Sequence, residues 1–287
     1  MNEETPAWFT NALAQSYDLN EVTVDGARIA YRSWGKPGQP VAVLVHGGAA
    51  HAGWWDYIGP LLADYHRIVA IDLSGHGDSD HRESYRLETW AAEVMAVAKQ
   101  ESDAKPIVFG HSMGGFVALT AAKLFGQQLA GVVAIDSPVR ELSPEARAWI
   151  ESGTHVPGNK VYPDRDVILG RFRTLPEDDS SQVYIRDHIA AGSIKEVEGG
   201  WTWKFDPQIF LRSRMEPEEL AEVGCNLALI RGERGMSTTD ITADVAERLG
   251  GNAPVTVIRD AGHHIMLEQP IALLAALQTL LGQWRNV

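Results

Sequence analysis

Short, mostly apolar runs recur along the chain at Val41–Val45, Arg67–Ile71, Ile107–Phe109, Val132–Ile135, Leu227–Ile230 and Val255–Ile258. A continuous apolar run of this length is the pattern of a strand buried on both faces of a parallel sheet. Between most of the runs the apolar period changes to that of a helix, for instance over Leu87–Lys99 and Thr238–Leu249. Residues 7–17 read as an amphipathic helix with Trp8, Phe9 and Leu13 on one side. The closing segment Pro270–Trp284 carries Leu273, Leu274, Leu277, Leu280, Leu281 and Trp284 at helical spacing, a face made for packing on a sheet. Near the start, Glu21–Val24 and Arg28–Arg32 flank Asp25-Gly26, a pair that supplies a hairpin turn. Strands alternating with helices predict an α/β fold, with a mostly parallel central sheet and helices on both faces.

The alternation breaks between about residues 138 and 224. Positions 137–224 hold 27 of the chain's 63 charged residues, and buried-strand runs are missing from them. This composition predicts a mostly helical lid inserted after the sixth strand, over the carboxyl edge where open α/β sheets bind ligands. The expected division is therefore residues 1–137 and 225–287 as a split core, with 138–224 as the lid.

Bulk properties narrow the partners. The 287-residue chain is 45% hydrophobic and 22% charged, an ordinary globular composition. Its net charge of −13 opposes nucleic acid and anionic membrane surfaces. The single cysteine, Cys225, allows no internal disulfide and reads as packing. The first residues carry Glu3 and Glu4 rather than a basic, then apolar, leader, and the stretch Ile271–Leu281 is too short to cross a bilayer. A cytoplasmic protein with no membrane span is expected.

Chemistry concentrates at Gly110-His111-Ser112-Met113-Gly114. A buried-strand pattern precedes this G-x-S-x-G segment and an apolar helix, Met113–Phe125, follows it. That context suits a sharp elbow which lifts a serine hydroxyl above the sheet, although Ser is also a favoured helix cap. A serine hydroxyl needs a base to take its proton, and histidine serves best near neutral pH. Among ten histidines, His263 follows the final strand in Asp260-Ala-Gly-His-His, with His264 as its competitor. His46, His76 and His111 border glycine turns and read as hydrogen-bonding residues. His51, His66, His81, His155 and His188 belong to no constellation. No cluster has metal-ligand spacing, and Gly75-His76-Gly77 lacks the spacing of a nucleotide loop, so neither metal nor cofactor is expected.

Four blocks, in this order, resemble the α/β-hydrolase superfamily over about residues 21–285: His46-Gly47-Gly48, Asp72 to Ser79, Gly110 to Gly115, and Gly262-His263 followed by Glu268-Gln269-Pro270. The resemblance implies Ser112 as nucleophile, His263 as base, and the backbone N–H groups of Gly48 and Met113 as oxyanion donors. In most of the superfamily the acid follows the strand that ends here at Ile230. This chain reads Gly232-Glu233-Arg234-Gly235 there, with glycine in the expected aspartate's place. In a subset of these enzymes the acid follows the preceding strand, where this chain offers Asp136; Glu233 and Asp240 remain open alternatives. Trp54, Trp55, Trp201 and Trp203 are candidates to line a substrate pocket, or simply to pack. Serine at the elbow, rather than aspartate, argues against epoxide-hydrolase and dehalogenase chemistry. The expected activity is that of a carboxylesterase on small or medium neutral esters. Lactonase, amidase, C–C hydrolase or perhydrolase chemistry, or a small-molecule receptor, would carry the same residues.

Overall fold

The computed structural model describes residues 5–152, 156–211 and 215–284; Glu3, Glu4 and His155 lie outside them. Ten strands are present among the described residues: β1 (Asp18–Val24), β2 (Ala27–Trp34), β3 (Val41–Val45), β4 (Arg67–Ile71), β5 (Ile107–His111), β6 (Gly131–Ile135), β7 (Ile194–Val197), β8 (Gly200–Trp203), β9 (Asn226–Gly232) and β10 (Val255–Ile258). Eight form one sheet in the order β1-β2-β4-β3-β5-β6-β9-β10. From β4 to β10 neighbours run parallel, while β1 and β2 form the antiparallel hairpin predicted around Asp25-Gly26. The sequence-based fold class is borne out.

Alternation along each strand sorts its side chains between two cores. Val41, Val43 and Val45 join one apolar cluster with Val94 of helix Leu87–Glu101 and Val117 of helix Met113–Phe125. Ala42 and Leu44 join the other, with Leu273, Leu277 and Leu281 of helix Pro270–Gln283. Each such fully buried leucine stabilises the fold by about 2 kcal/mol relative to exposure. Successive strand residues point to opposite faces, so a β3 buried on both sides must be apolar throughout, and it is.

The structure corrects three expectations. The N-terminal helix stops at Leu13 rather than 17. The run Val255–Ile258 forms an edge strand whose Val255 and Val257 are 43% and 42% exposed, not a central one. The segment between β6 and β9, expected to be mostly helical, is mixed among its described residues. It holds helices Pro144–Glu151, Arg165–Leu169 and Val183–Gly192, then the hairpin β7-β8 closed by the turn Glu198-Gly199. Its third helix is anchored in the core, since Ile185 and Ile189 are fully buried in the second cluster. By contrast, helix Pro144–Glu151 buries no residue.

Candidate active site

The parallel strands β3, β5, β6 and β9 end side by side, so the loops that follow them meet at one edge. Ser112 follows β5 directly and starts the helix Met113–Phe125. Its backbone sits at φ 54°, ψ −116°. That is strained for a residue with a Cβ, at a cost on the order of 1–3 kcal/mol. Hydrogen bonding holds it there: the Ser112 N–H donates to the Ile135 carbonyl at 2.9 Å. The turn also requires glycine at 110, because a Cβ there would strike the carbonyl group of Gly114.

Oγ of Ser112 lies 3.0 Å from Nε2 of His263, and Nδ1 of His263 lies 2.6 Å from Oδ2 of Asp136. Asp136 is wholly buried at the end of β6 with φ 44°. Its Oδ1 accepts the Gly232 N–H at 3.2 Å and its Oδ2 accepts the Met236 N–H at 2.8 Å. These backbone donors fix the orientation of the carboxylate. The loop after β9 is shaped around that carboxylate, for a Cβ at Gly235 would fall on Oδ1 of Asp136. The space that an aspartate at 235 would need is already filled by Asp136.

The alternatives sit elsewhere. Glu233 accepts the Asp260 N–H at 3.0 Å, and Asp240 accepts the Thr238 hydroxyl at the exposed start of helix Thr239–Arg248. His264 is 6% exposed and packs its ring 5.6 Å from Trp54, with Nδ1 unpartnered among the described residues. Burial pushes its pKa down to about 3, so it stays neutral.

Gly48 follows β3, and Met113 is the first residue of its helix, whose opening N–H groups lack intrahelical acceptors. Both line a cavity of about 750 Å³ together with Ser112 and His263. His46 braces the Gly48 loop, donating from Nδ1 to the Gly47 carbonyl at 2.7 Å and accepting the Leu73 N–H at Nε2 at 3.2 Å. Burial lowers its pKa to about 4. Asp72 ties the neighbouring loops, accepting the N–H groups of Ala52 at 2.6 Å and Asp78 at 3.0 Å, while burial raises its pKa to about 6.

The rest of the cavity wall includes Phe116, Leu142, Leu175, Phe210, Met215 and Met236, with Arg140 and Glu141 at hand. None of the four tryptophans lines it. Trp55 is fully buried and Trp54 nearly so, both in the second core cluster. Trp201 lies under the Arg165 guanidinium, 5.8 Å from its ring centre, and Trp203 packs 6.4 Å from Phe172. Sequence reasoning missed Phe210, Met215 and Met236, which belong to segments without a periodic pattern. Among the described residues, no group of three His, Cys, Asp or Glu is arranged to hold a metal, and no helix is long and apolar enough to cross a membrane.

The profile described as "Alpha/beta hydrolase family" matches residues 42–277. The chain belongs to the α/β hydrolase family. Among its relatives, an uncharacterized hydrolase, YugF, of Bacillus subtilis (strain 168) is 26% identical over 264 residues, covering 88% of this chain and 93% of that one. Esterase Rv0045c of Mycobacterium tuberculosis is 24% identical over 266 residues, covering 90% and 88%. Among solved α/β hydrolase structures, a thioesterase domain from the curacin biosynthetic pathway superposes with a TM-score of 0.78 at 22% identity, covering 93% of this chain and 99% of that one. That likeness concerns the fold. The esterase and hydrolase relatives agree with hydrolytic chemistry for this α/β hydrolase.

Proposed function

We propose that this α/β hydrolase is a serine carboxylesterase working through an acyl-enzyme. The observation that carries the reading is the unbroken chain Ser112 Oγ–His263 Nε2 (3.0 Å) and His263 Nδ1–Asp136 Oδ2 (2.6 Å) at the wall of a cavity lined by both apolar and polar side chains. Nδ1–H of His263 donates to Asp136, which leaves Nε2 free to accept the Ser112 proton as Oγ attacks the ester carbonyl. The carbonyl oxygen becomes an oxyanion, stabilised by the N–H groups of Gly48 and Met113, each worth about 3–4 kcal/mol of barrier. His263 then delivers the proton to the departing alcohol. Water then attacks the acyl carbon as His263 takes its proton, and His263 returns that proton to Ser112 Oγ as the acid departs. Asp136 stays ionised throughout, holding the tautomer and stabilising the transient imidazolium.

Apolar side chains in the cavity wall support a small or medium neutral ester, with the segment 138–224 acting as the lid: Leu142, Leu175 and Phe210 from that segment line the same cavity as Ser112. Covalent labelling by a fluorophosphonate, mapped by mass spectrometry, tests the nucleophile. p-Nitrophenyl esters from acetate to palmitate, run beside lactones and amides, test the bond cleaved. Labelling at Ser112 with multiple-turnover ester cleavage is expected. A single turnover with tight retention would instead mean a receptor.

A further inference from the structure

His263 is delivered by a loop, 151 residues away from Ser112 in sequence. The preceding strand β10 has ended at Ile258, so the sheet ladder does not fix it. A catalytic imidazole must nevertheless hold its place to about 0.5 Å. Two buried side chains grip the backbone on either side of it, and neither lines the cavity.

His111, the last residue of β5, is 2% exposed, and its Nε2 lies 2.8 Å from the His263 carbonyl oxygen. A carbonyl only accepts, so Nε2 carries the hydrogen. Burial holds the His111 pKa well below its ordinary value, so the ring is neutral with Nδ1 bare. Glu268, also 2% exposed, accepts from both sides of the base: one oxygen takes the Gly262 N–H and the other takes the His264 N–H at 3.1 Å. The peptide plane between His263 and His264 is thus held at its C=O by His111 and at its N–H by Glu268. That plane fixes ψ of His263, and hence where its Cβ and imidazole point.

We propose that His111 and Glu268 are positioning residues, a two-sided clamp on the His263 peptide that aims Nε2 at Ser112. The proposal rests on the reading of Ser112 and His263 as the catalytic pair. Its chemistry explains why an expensive group stands at 268. A buried carboxylate costs more to desolvate than a neutral amide, yet glutamine offers one acceptor oxygen where two N–H groups point. A glutamine amide would turn a donor toward a donor. The same clamp explains histidine between Gly110 and Ser112. Its side chain starts one residue from the nucleophile and ends on the base, so one strand end sets both partners.

Glu268→Gln keeps shape and removes one acceptor; His111→Leu removes the donor; His111→Gln offers a replacement N–H. We expect Glu268→Gln and His111→Leu each to lower kcat on a p-nitrophenyl ester about 10- to 100-fold, since small misplacement of a reacting group has effects of that size. KM should stay within about threefold, with rates expressed per site titrated by fluorophosphonate. His111→Gln should regain most of the loss, and Glu268→Gln/His111→Leu should lose less than the product of the single losses, because both act on one peptide. In proton NMR the downfield His263 Nδ1–H signal should broaden or shift in both single variants. A kcat per titrated site within twofold of wild type, with an unmoved Nδ1–H signal and only a lower Tm, would overturn the clamp. If Glu268→Gln does not fold, the pair His111→Leu and His111→Gln decides by rescue or its absence. Wild-type protein that neither labels at Ser112 nor turns over would sink the catalytic reading, and the NMR signal would then judge the clamp alone.

Discussion

The sheet edge and the segment that covers it are built on different principles. Around Ser112 every strand residue of β3, β5 and β6 is buried, and each loop is fastened by side chains that accept or donate to backbone. Across the cavity, helix Pro144–Glu151 buries nothing and is held by the Ser143 cap and an exposed Arg147–Glu216 ion pair at 2.7 Å, which solvent screens. Leu175, at 79% exposed, stands at the same cavity. The sheet-edge loops are thus over-determined by packing while helix Pro144–Glu151 is loosely held, and in the proposed reading the first position the reacting atoms and the second meets substrate. Substitutions on the two sides should therefore separate catalysis from selection.

The largest effect belongs to the rigid side. Ser112→Ala should lower kcat by at least about 10⁴-fold, as loss of a triad nucleophile does, while Tm moves by less than about 2 °C. Turnover near wild type, measured on the purified variant, would undo the assignment. Next comes the acid: Asp136→Asn should cost on the order of 10²–10⁴ in kcat with KM nearly unchanged. Glu233→Gln and Asp240→Asn should stay within about threefold, because neither carboxylate reaches His263. Crippling either of those two while sparing Asp136→Asn would move the acid to the loop after β9.

About a tenfold effect per pH unit for each buried histidine is expected in stability, again from the core side. Burial lowers the pKa of His46 to about 4, of His51 and His264 to about 3, and of His111 well below its ordinary value. Unfolded, each titrates near 6.5. Below that pH the unfolded chain binds the extra protons, so stability falls as pH falls, by about 1.4 kcal/mol per unit for each histidine. Asp72, with its pKa raised to about 6, acts the other way between pH 6 and 4; Glu93 and Glu268, whose carboxyls burial also raises, act in the same direction as Asp72. Urea midpoints should drop from pH 7 to pH 5.5. In His264→Leu that slope should be shallower by one histidine's share, and an unchanged slope would mean that His264 is protonated in the fold.

The smallest changes belong to the covering segment. Phe210→Ala and Leu175→Ala should alter kcat/KM ratios between short and long esters about three- to tenfold while Tm holds. Trp201→Ala and Trp203→Ala should do the reverse, lowering Tm with ratios preserved, because those rings pack on Arg165 and Phe172. A shift in ester preference from the tryptophan variants would erase the distinction.

The same contrast explains what was legible in the sequence. Strands buried on both faces leave unbroken apolar runs, so β3, β4, β5, β6 and β9 stood out, and the hairpin announced itself through Asp25-Gly26. The edge position of β10 did not, since Val-Thr-Val-Ile reads alike at an edge and in the centre. The small hairpin β7-β8 went unseen because four-residue strands half exposed to solvent leave no period to detect. At the site, Ser112 and His263 were marked by glycine-bounded motifs that the local backbone demands. Phe210, Met215 and Met236 reach the cavity through the path of the chain, which no local pattern encodes. Glycine at 235 was visible as a missing carboxylate, yet only three dimensions reveal it as room left for another.

That shared space constrains how such a site can change by single steps. Asp136 and any side chain at 235 compete for one volume, so Gly235→Asp in the present background meets the Asp136 carboxylate before it meets His263. The reverse order, Asp136→Gly first, leaves the imidazole without its anion until the second change arrives. In the proposed triad, either route between the two arrangements passes through a damaged intermediate. The place of the acid in that triad is therefore hard to move by single substitutions, because the two positions share one volume.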